Sequence, residues 1–600
     1  MRSSSLAVLL FAFACSHPPA PTAPPPVSTP APEPAVAATT PTPAKPAQTW
    51  IERSNQHAQL LLGVLAEFQP ETASFFGVAG RDEAITDLTP GYRERQREAT
   101  RKAQAELEKR LAVEKDELVA EDLEILVKAA KRQIKSSEIN ERLQVQYNNV
   151  PQLLFGSVRA LLDAQVAAER RPAALVRLRK YLGLDGQPSV VQLVQAEIRD
   201  GLKNGLLAPA RLEVENDLET AQPMIDGVGK LFEEYKIAGA EPVVAEMHKQ
   251  LDAHLKFVRT ELLPKARKDF RLPPELYAMN LEEVGVDITP ADLATRAHKA
   301  FTELQQQMQE LATKLAKERG WKNANYRDVI KQLKKTQIAD DQMLAFYKKR
   351  LGEVEEIIRA EKLVTLPTRP ARIRLGTPAE NAQLPAPHMT PPRLIGNTGE
   401  QGEFVLSLSV PGKAIKKYDD FNFDAATWTL TAHEARPGHE MQFSRMVETG
   451  ISLARGLFAF NSVNAEGWGL YSEAIMLPYM PLDGQLISLQ LRLQRAARAF
   501  LDPELQIPGK WTPEQARAYL QKEVGLSLAF ATEEIDRFTF RSPGQATSYF
   551  YGYLRLLELR AAAEQQLGAR FDQQKFHDAV LAQGLLPPDL VRKAVLSALK

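Results

Sequence analysis

Thr431-Ala-His-Glu-Ala-Arg-Pro-Gly-His-Glu440 is the stretch on which the reading of this chain turns. His433-Glu434 followed by His439 has the form of an H-E-x-x-H metal motif lengthened by Pro437 and Gly438 before its second histidine. In the ordinary motif, positions i and i+4 lie ~40° apart on a helix, so both imidazoles reach one ion. At i and i+6 a straight helix would carry His439 ~240° round from His433, to the wrong side. Pro437 has no amide hydrogen for the carbonyl of His433, and Gly438 tolerates backbone angles that other residues avoid. An irregular turn between Glu434 and Gly438 is therefore expected, swinging His439 back toward His433. Each donor would then stand ~2.0–2.2 Å from one ion, and the donors within about 4 Å of one another. Glu440, beside His439, is a competing carboxylate.

The residues just upstream, Asp424 to Ala432, read as the helix that carries the motif. Asp424 is an N-cap candidate, and Ala425, Trp428 and Ala432 line one face. Downstream comes Asn464-Ala-Glu466-Gly-Trp-Gly-Leu-Tyr-Ser-Glu473. The separation of Glu466 from His439 lets a second helix run back across the first and present a carboxylate. Two histidines and a distal glutamate leave a coordination position open, as a catalytic zinc site needs. Glu473, two turns after Glu466 on the same face, can orient a ligand imidazole from behind. A third stretch, Arg541-Ser-Pro-Gly-Gln-Ala-Thr-Ser-Tyr549-Phe-Tyr551-Gly-Tyr553, opens a helix with Pro543 just inside a Ser542 cap. Its tyrosines are oxyanion donors or core residues.

Before the motif, residues 363 to 422 are broken by seven prolines between Pro367 and Pro392. Within them Gly402 to Val410 reads as a strand, either an edge open to an extended peptide or part of a small hairpin over a helical core. From Trp50 to about Leu366 apolar residues recur at three- and four-residue steps, a helical pattern with no fixed-period repeat. Thr289-Pro290-Ala-Asp292 marks the start of a long helix through Phe301 and Met308.

The N-terminus reads as an export signal over residues 1 to 15, with Arg2 ahead of an apolar run too short to span a bilayer. Ala12-Phe-Ala-Cys15 resembles a lipobox around the only cysteine; the other reading is an ordinary signal peptide cleaved near Ala14. Residues 16 to 48, with twelve prolines, are expected to be an extended tether, leaving 49 to 600 as one helical body. Apolar residues at 44% and charged residues at 25% are those of a globular protein with ample core. Lys+Arg and Asp+Glu balance at 75 each, so no nucleic-acid footprint is visible.

Together the three constellations resemble the bacterial domain of unknown function family numbered 885. That pattern, H-E-A-x-P-G-H-H-x-Q, A-E-G-W-x-L-Y-x-E and P-G-Q-A-x-S-Y, is matched at His433 to Gln442, Ala465 to Glu473 and Pro543 to Tyr549. Glu440 departs from it, standing where the family commonly has a second histidine. The family is similar in turn to the all-helical zinc peptidases such as carboxypeptidase Taq, thimet oligopeptidase and angiotensin-converting enzyme. This resemblance implies a two-lobed helical body with a central channel. It implies His433, His439 and Glu466 as ligands of one zinc ion, Glu434 as general base, and Tyr549 as oxyanion donor.

The expectation is thus a mainly α protein with a small β hairpin or sheet before the motif helix. It would be an exported, lipid-anchored zinc metallopeptidase, with a peptide as substrate and a membrane reached through Cys15. A peptide-binding or scaffold lipoprotein without competent zinc, and a metal hydrolase of a non-peptide amide or ester, are the alternatives. The first would keep its peptide with Glu434→Gln; the second uses the same residues.

Overall fold

The computed structural model describes residues 48–407, 409–410 and 416–600. The export segment, Cys15 and all of the tether but its last residue lie outside the described residues. The body is mainly α, 69% helix against 3% strand.

The long helix predicted from Thr289 spans Pro290–Arg319. Thr289 Oγ1 accepts from the Asp292 amide at 3.1 Å, and Pro290 sits at the first position, where a missing N–H costs nothing. Gly320, at φ 67°, ends it in a left-handed cap. Leu293, Ala297, Phe301, Leu304, Met308 and Ala312 form its buried face, which packs along helix Leu482–Leu505. That second helix is the spine of the molecule: every residue from Leu486 to Leu505 is buried. Polar groups there, Arg492, Arg495, Arg498 and Asp502 among them, must find partners inside the protein.

The apolar interior divides into two large clusters and a small third one of Phe443, Met446, Phe460, Ala465 and Leu585. The largest gathers the first helices, the spine and the motif-bearing segments. The second is drawn from residues between Leu88 and Ala266, with Ala379 and Ala382.

The strands lie where sequence places them. β1 (Arg372–Leu375), β2 (His388–Thr390) and β3 (Glu403–Leu406) form a sheet of order β1-β3-β2, β1 parallel and β2 antiparallel to β3. The stretch read as one possible edge strand, Gly402 to Val410, is split: Glu403–Leu406 is the centre of this sheet, paired on both sides, and Ser409–Val410 pairs antiparallel with Lys416–Lys417 in a second, two-stranded sheet. Phe404 faces Ile373 on one side and Met389 on the other, and its buried ring packs edge-on to Tyr347 at 5.5 Å. The sheet abuts the motif: a Cβ on Gly402 would lie 3.3 Å from Glu440 Cγ.

Candidate metal centre

The helix Asp424–Glu434 is anchored before it reaches the motif. Phe423, rather than Asp424, occupies the cap position, and the Asp424 carboxylate pairs with Arg350 instead. Arg350 also donates to Thr427 Oγ1 at 3.0 Å and lies 3.8 Å over the Trp428 ring.

The expected irregularity is a complete break. One helix ends at Glu434 and another, His439–Thr449, begins after a four-residue turn. The amides of Ala435 and Arg436 both donate to the Thr431 carbonyl, at 3.0 and 3.1 Å, and Pro437 has no hydrogen to continue the ladder. Its carbonyl instead accepts from Trp468 Nε1 at 2.9 Å. Gly438 is required by contact: a Cβ there would fall 1.9 Å from the His433 carbonyl oxygen. Arg436 clamps the turn, donating to Glu440 at 2.8 Å, to Glu355 at 2.6 Å and to the Arg369 carbonyl at 2.6 Å.

This fold-back delivers His439 to His433, their ring centroids 4.7 Å apart at an interplanar angle of 86°. The helix Ser462–Met476, capped by Asn461, supplies Glu466. Glu466 Oε2 lies 3.6 Å from His433 Nε2 and 3.3 Å from His439 Nε2. One donor atom of each residue lies within 4.8 Å of the others, somewhat wider than the expected separation. Glu466 Oε2 is buried and faces only these two ring nitrogens, in hydrogen-bond geometry with neither, an arrangement that a cation between the three would complete. Two imidazoles and one carboxylate suit zinc with an open fourth position. Glu440 takes no part: its oxygens accept from Arg436 and, at 2.6 Å, from Ser444 Oγ.

Glycines set these distances. A Cβ on Gly469 would lie 2.7 Å from His433 Cε1 and 2.9 Å from His439 Cε1. Gly467 meets Gly552 of helix Thr547–Leu567 backbone to backbone, a Cβ on Gly467 standing 2.6 Å from the Gly552 carbonyl carbon. That crossing brings the Tyr549 ring alongside His433, centroids 6.2 Å apart and nearly parallel at 16°. Ser462 Oγ and Ser548 Oγ, 2.7 Å apart, tie the same two helices. Tyr551 and Tyr553 serve elsewhere: Tyr551 Oη pairs with Asp287, and Arg492 lies 5.2 Å over Tyr553. The Tyr549 helix begins at Thr547, four residues beyond the expected Pro543 start. Gly544 takes φ 95° there, and Asp502 holds its amide at 2.9 Å.

Behind the donors, His433 Nδ1–H donates to Glu473 Oε1 at 2.8 Å, which leaves Nε2 free to face the centre. Thr429 Oγ1 donates to the other oxygen at 2.7 Å, and Arg495 stands 3.7 Å away. His439 has no such support: its Nδ1 is buried without a partner among the described residues.

Burial works against charge throughout, and the partners decide each outcome. Burial would lower the His433 pKa, but the Glu466 and Glu473 carboxylates carry it up to about 9. Burial would raise Glu466, yet the two imidazoles hold it well below the usual carboxylate range. Glu473 is lowered by Arg495, His433 and Thr429 despite its burial. Glu434 goes the other way: burial, with Glu466 nearby, raises it. No described residue hydrogen-bonds to its carboxyl group, which lies within electrostatic reach of His433, His439 and Glu466. Tyr549 is raised by burial and by Glu466, and its Oη accepts from Arg537 Nη1 at 3.1 Å, leaving its own proton to donate.

Sequence reasoning overlooked Thr429, Arg495, Arg498 and Arg537. A signal existed for two of them, because arginine recurs at 492, 495 and 498, at one-turn spacing, in a run whose other residues are mostly apolar.

Residues 70–595 match the model of a family described as bacterial protein of unknown function, DUF885. No curated protein matches the chain. Among solved structures, a protein described as a lipoprotein from Colwellia psychrerythraea superposes with TM-score 0.75 at 20% identity, over 92% of this chain and 99% of that one. Another, from Shewanella oneidensis and described as a lipoprotein of unknown function, gives TM-score 0.69 at 19% identity, over 92% of this chain and 100% of the other. These likenesses establish a shared fold.

Proposed function

The chain belongs to the bacterial DUF885 family, and on that premise we propose that it is a zinc-dependent metallopeptidase. The observation that carries this reading is the meeting of His433, His439 and Glu466 within 4.8 Å, with the Glu434 carboxyl in electrostatic reach of all three. A bound zinc ion supplies a Lewis acid that acidifies water and polarises a carbonyl. His433, steadied by Glu473, would hold the ion with His439 and Glu466. Glu434 accepts the proton of the attacking water as its oxygen bonds to the peptide carbonyl carbon. When the C–N bond breaks, the same carboxyl passes that proton to the departing amine. Tyr549 Oη donates to the carbonyl oxygen as negative charge grows on it.

The same proposal places the protein outside the cytoplasm on a lipid anchor at Cys15. The descriptions of the two structural relatives as lipoproteins and the Ala12-Phe-Ala-Cys15 sequence support this. No helix among the described residues is long and apolar enough to cross a membrane. Loss of membrane association in Cys15→Ser checks the anchor.

Metal analysis of purified protein, together with cleavage of a broad peptide library by wild type and Glu434→Gln, tests the activity. Stoichiometric zinc in both proteins and turnover only in wild type are expected. If wild type cleaves nothing that Glu434→Gln leaves intact, the peptidase reading fails, and a peptide-binding protein becomes the better account.

A further inference from the structure

Tyr549 is enclosed by arginines. The guanidinium carbons of Arg498, Arg495 and Arg537 lie 4.4, 5.9 and 5.9 Å from the centre of its ring. All three residues are buried or nearly so, where an unbalanced positive charge is expensive.

Their partners do not exhaust them. Arg498 forms a two-pronged pair with Glu534, both contacts at 2.6 Å, while its Nη1 has no partner among the described residues. Arg495 Nη1 donates to Gln494 Oε1 at 2.9 Å and to the Leu491 carbonyl at 3.3 Å, and its Nε is likewise unpartnered. Arg537 reaches Tyr549, Gln545 and, at 3.4 Å, Glu533.

Three carboxylates face them, and none uses up the donors. Glu473 is committed to His433 and Thr429 and stands 3.7 Å from Arg495. Glu534 is taken by Arg498. Glu533, pushed up by burial and by Glu534, keeps one oxygen buried without a partner. Three guanidiniums thus meet three carboxylates, one of them shared with an imidazole, and the nitrogens left over are a matter of geometry. Arg492, one turn earlier on the spine, adds two more buried, unpartnered nitrogens among the described residues.

We propose that this arginine cluster receives the free carboxylate at the end of a peptide, so that the enzyme releases short C-terminal fragments. Guanidinium donors matched to a carboxylate give charge and planar fit together, and the donors left over at Arg495 and Arg498 are of that kind. Their place around Tyr549, whose ring lies against His433, sets the chain end close to the bond to be cut. This inference rests on the metallopeptidase reading for its reaction, but its recognition element can be measured without turnover.

The test uses zinc-loaded Glu434→Gln protein and N-acetylated tri- and tetrapeptides of small neutral residues, compared as free acids and as C-terminal amides by calorimetry. Free acids should bind on the order of 10- to 100-fold more tightly, the worth of a charge-assisted hydrogen bond. Arg495→Met should close most of that gap, lowering the affinity for the free acids toward that for the amides. Equal binding of acids and amides, or binding of neither, overturns the proposal, and this comparison needs no arginine variant to fold. Amides ending in a glutamate residue are the third arm; if they recover the full affinity, the assignment to the chain end is overturned in favour of an acidic side chain. Acid preference beside a wild type that cleaves nothing would sink the peptidase reading and spare this one. Cleavage of acids and amides at equal rates would do the reverse.

Discussion

Glu473 Oε1 accepts the Nδ1 proton of His433 at 2.8 Å, and by doing so fixes which face of that imidazole is offered to a metal. The carboxylate is fully buried and held in turn by Thr429 and Arg495, so the ring has little freedom to rotate. Glu473→Gln keeps the shape but weakens that hold. Zinc affinity is expected to fall by roughly 10- to 100-fold, as for other partners standing behind metal-ligating histidines. A competition titration against a zinc chelator measures it, and unchanged affinity would show that the imidazole is oriented by packing alone.

Tyr549→Phe removes one donor to the developing oxyanion and the acceptor for Arg537. A loss on the order of 10²–10³ in kcat with little change in KM is expected. Steady-state kinetics on any cleaved peptide decide it. A change confined to KM would make Tyr549 a binding residue.

Gly469→Ala strikes the donors directly, because its methyl would stand 2.7 Å from His433 Cε1 and 2.9 Å from His439 Cε1. The rings must part to admit it. The variant should lose stoichiometric zinc while its melting temperature, measured without metal, falls only as far as an overpacking cost of about 1–3 kcal/mol would bring it. Retention of tight zinc would argue that the ligands stand elsewhere.

The metal-free protein should show a characteristic dependence on pH. His433 is raised to about 9 in the folded state, against ~6.5 when unfolded. Its contribution to stability is therefore complete below the unfolded value and is lost as pH rises through the folded one. Glu466 is depressed, so its contribution is present above ~4.3 and lost as the solution is acidified below that. Between them the two groups favour a window from about pH 4.3 to 6.5. Zinc replaces the His433 proton, so the stabilisation it adds should grow as pH rises toward the folded His433 value. Melting curves with chelator and with zinc across this range check the sign; parallel curves would contradict it.

Much of this centre was legible in advance because the relevant spacings are local. His433, His439 and Glu466 stand on short recognisable runs, and Pro437-Gly438 announced the break that joins the first two. What escaped is what depends on distant partners. Nothing near Pro543 shows that its following helix waits until Thr547, because the amide of Gly544 is held by Asp502, far back along the chain. Likewise Glu403–Leu406 looks like a strand by its own residues. Its central place depends on two short partners, Arg372–Leu375 and His388–Thr390, lying among prolines that suggest loop. Arg537 carries no local mark at all, and only the tertiary fold sets it on Tyr549.

The bare crossing of Gly467 and Gly552 separates two kinds of change that the chain can absorb. With no side chain between the backbones, neither helix can shift along the other without collision, so Glu466 and Tyr549 keep one spacing. Insertions or deletions in the exposed loop of residues 507–510 can then be accommodated at the surface without being felt at the centre. A single methyl group added at the crossing would reach it at once. Tolerance to length and intolerance to size are therefore expected side by side within one segment.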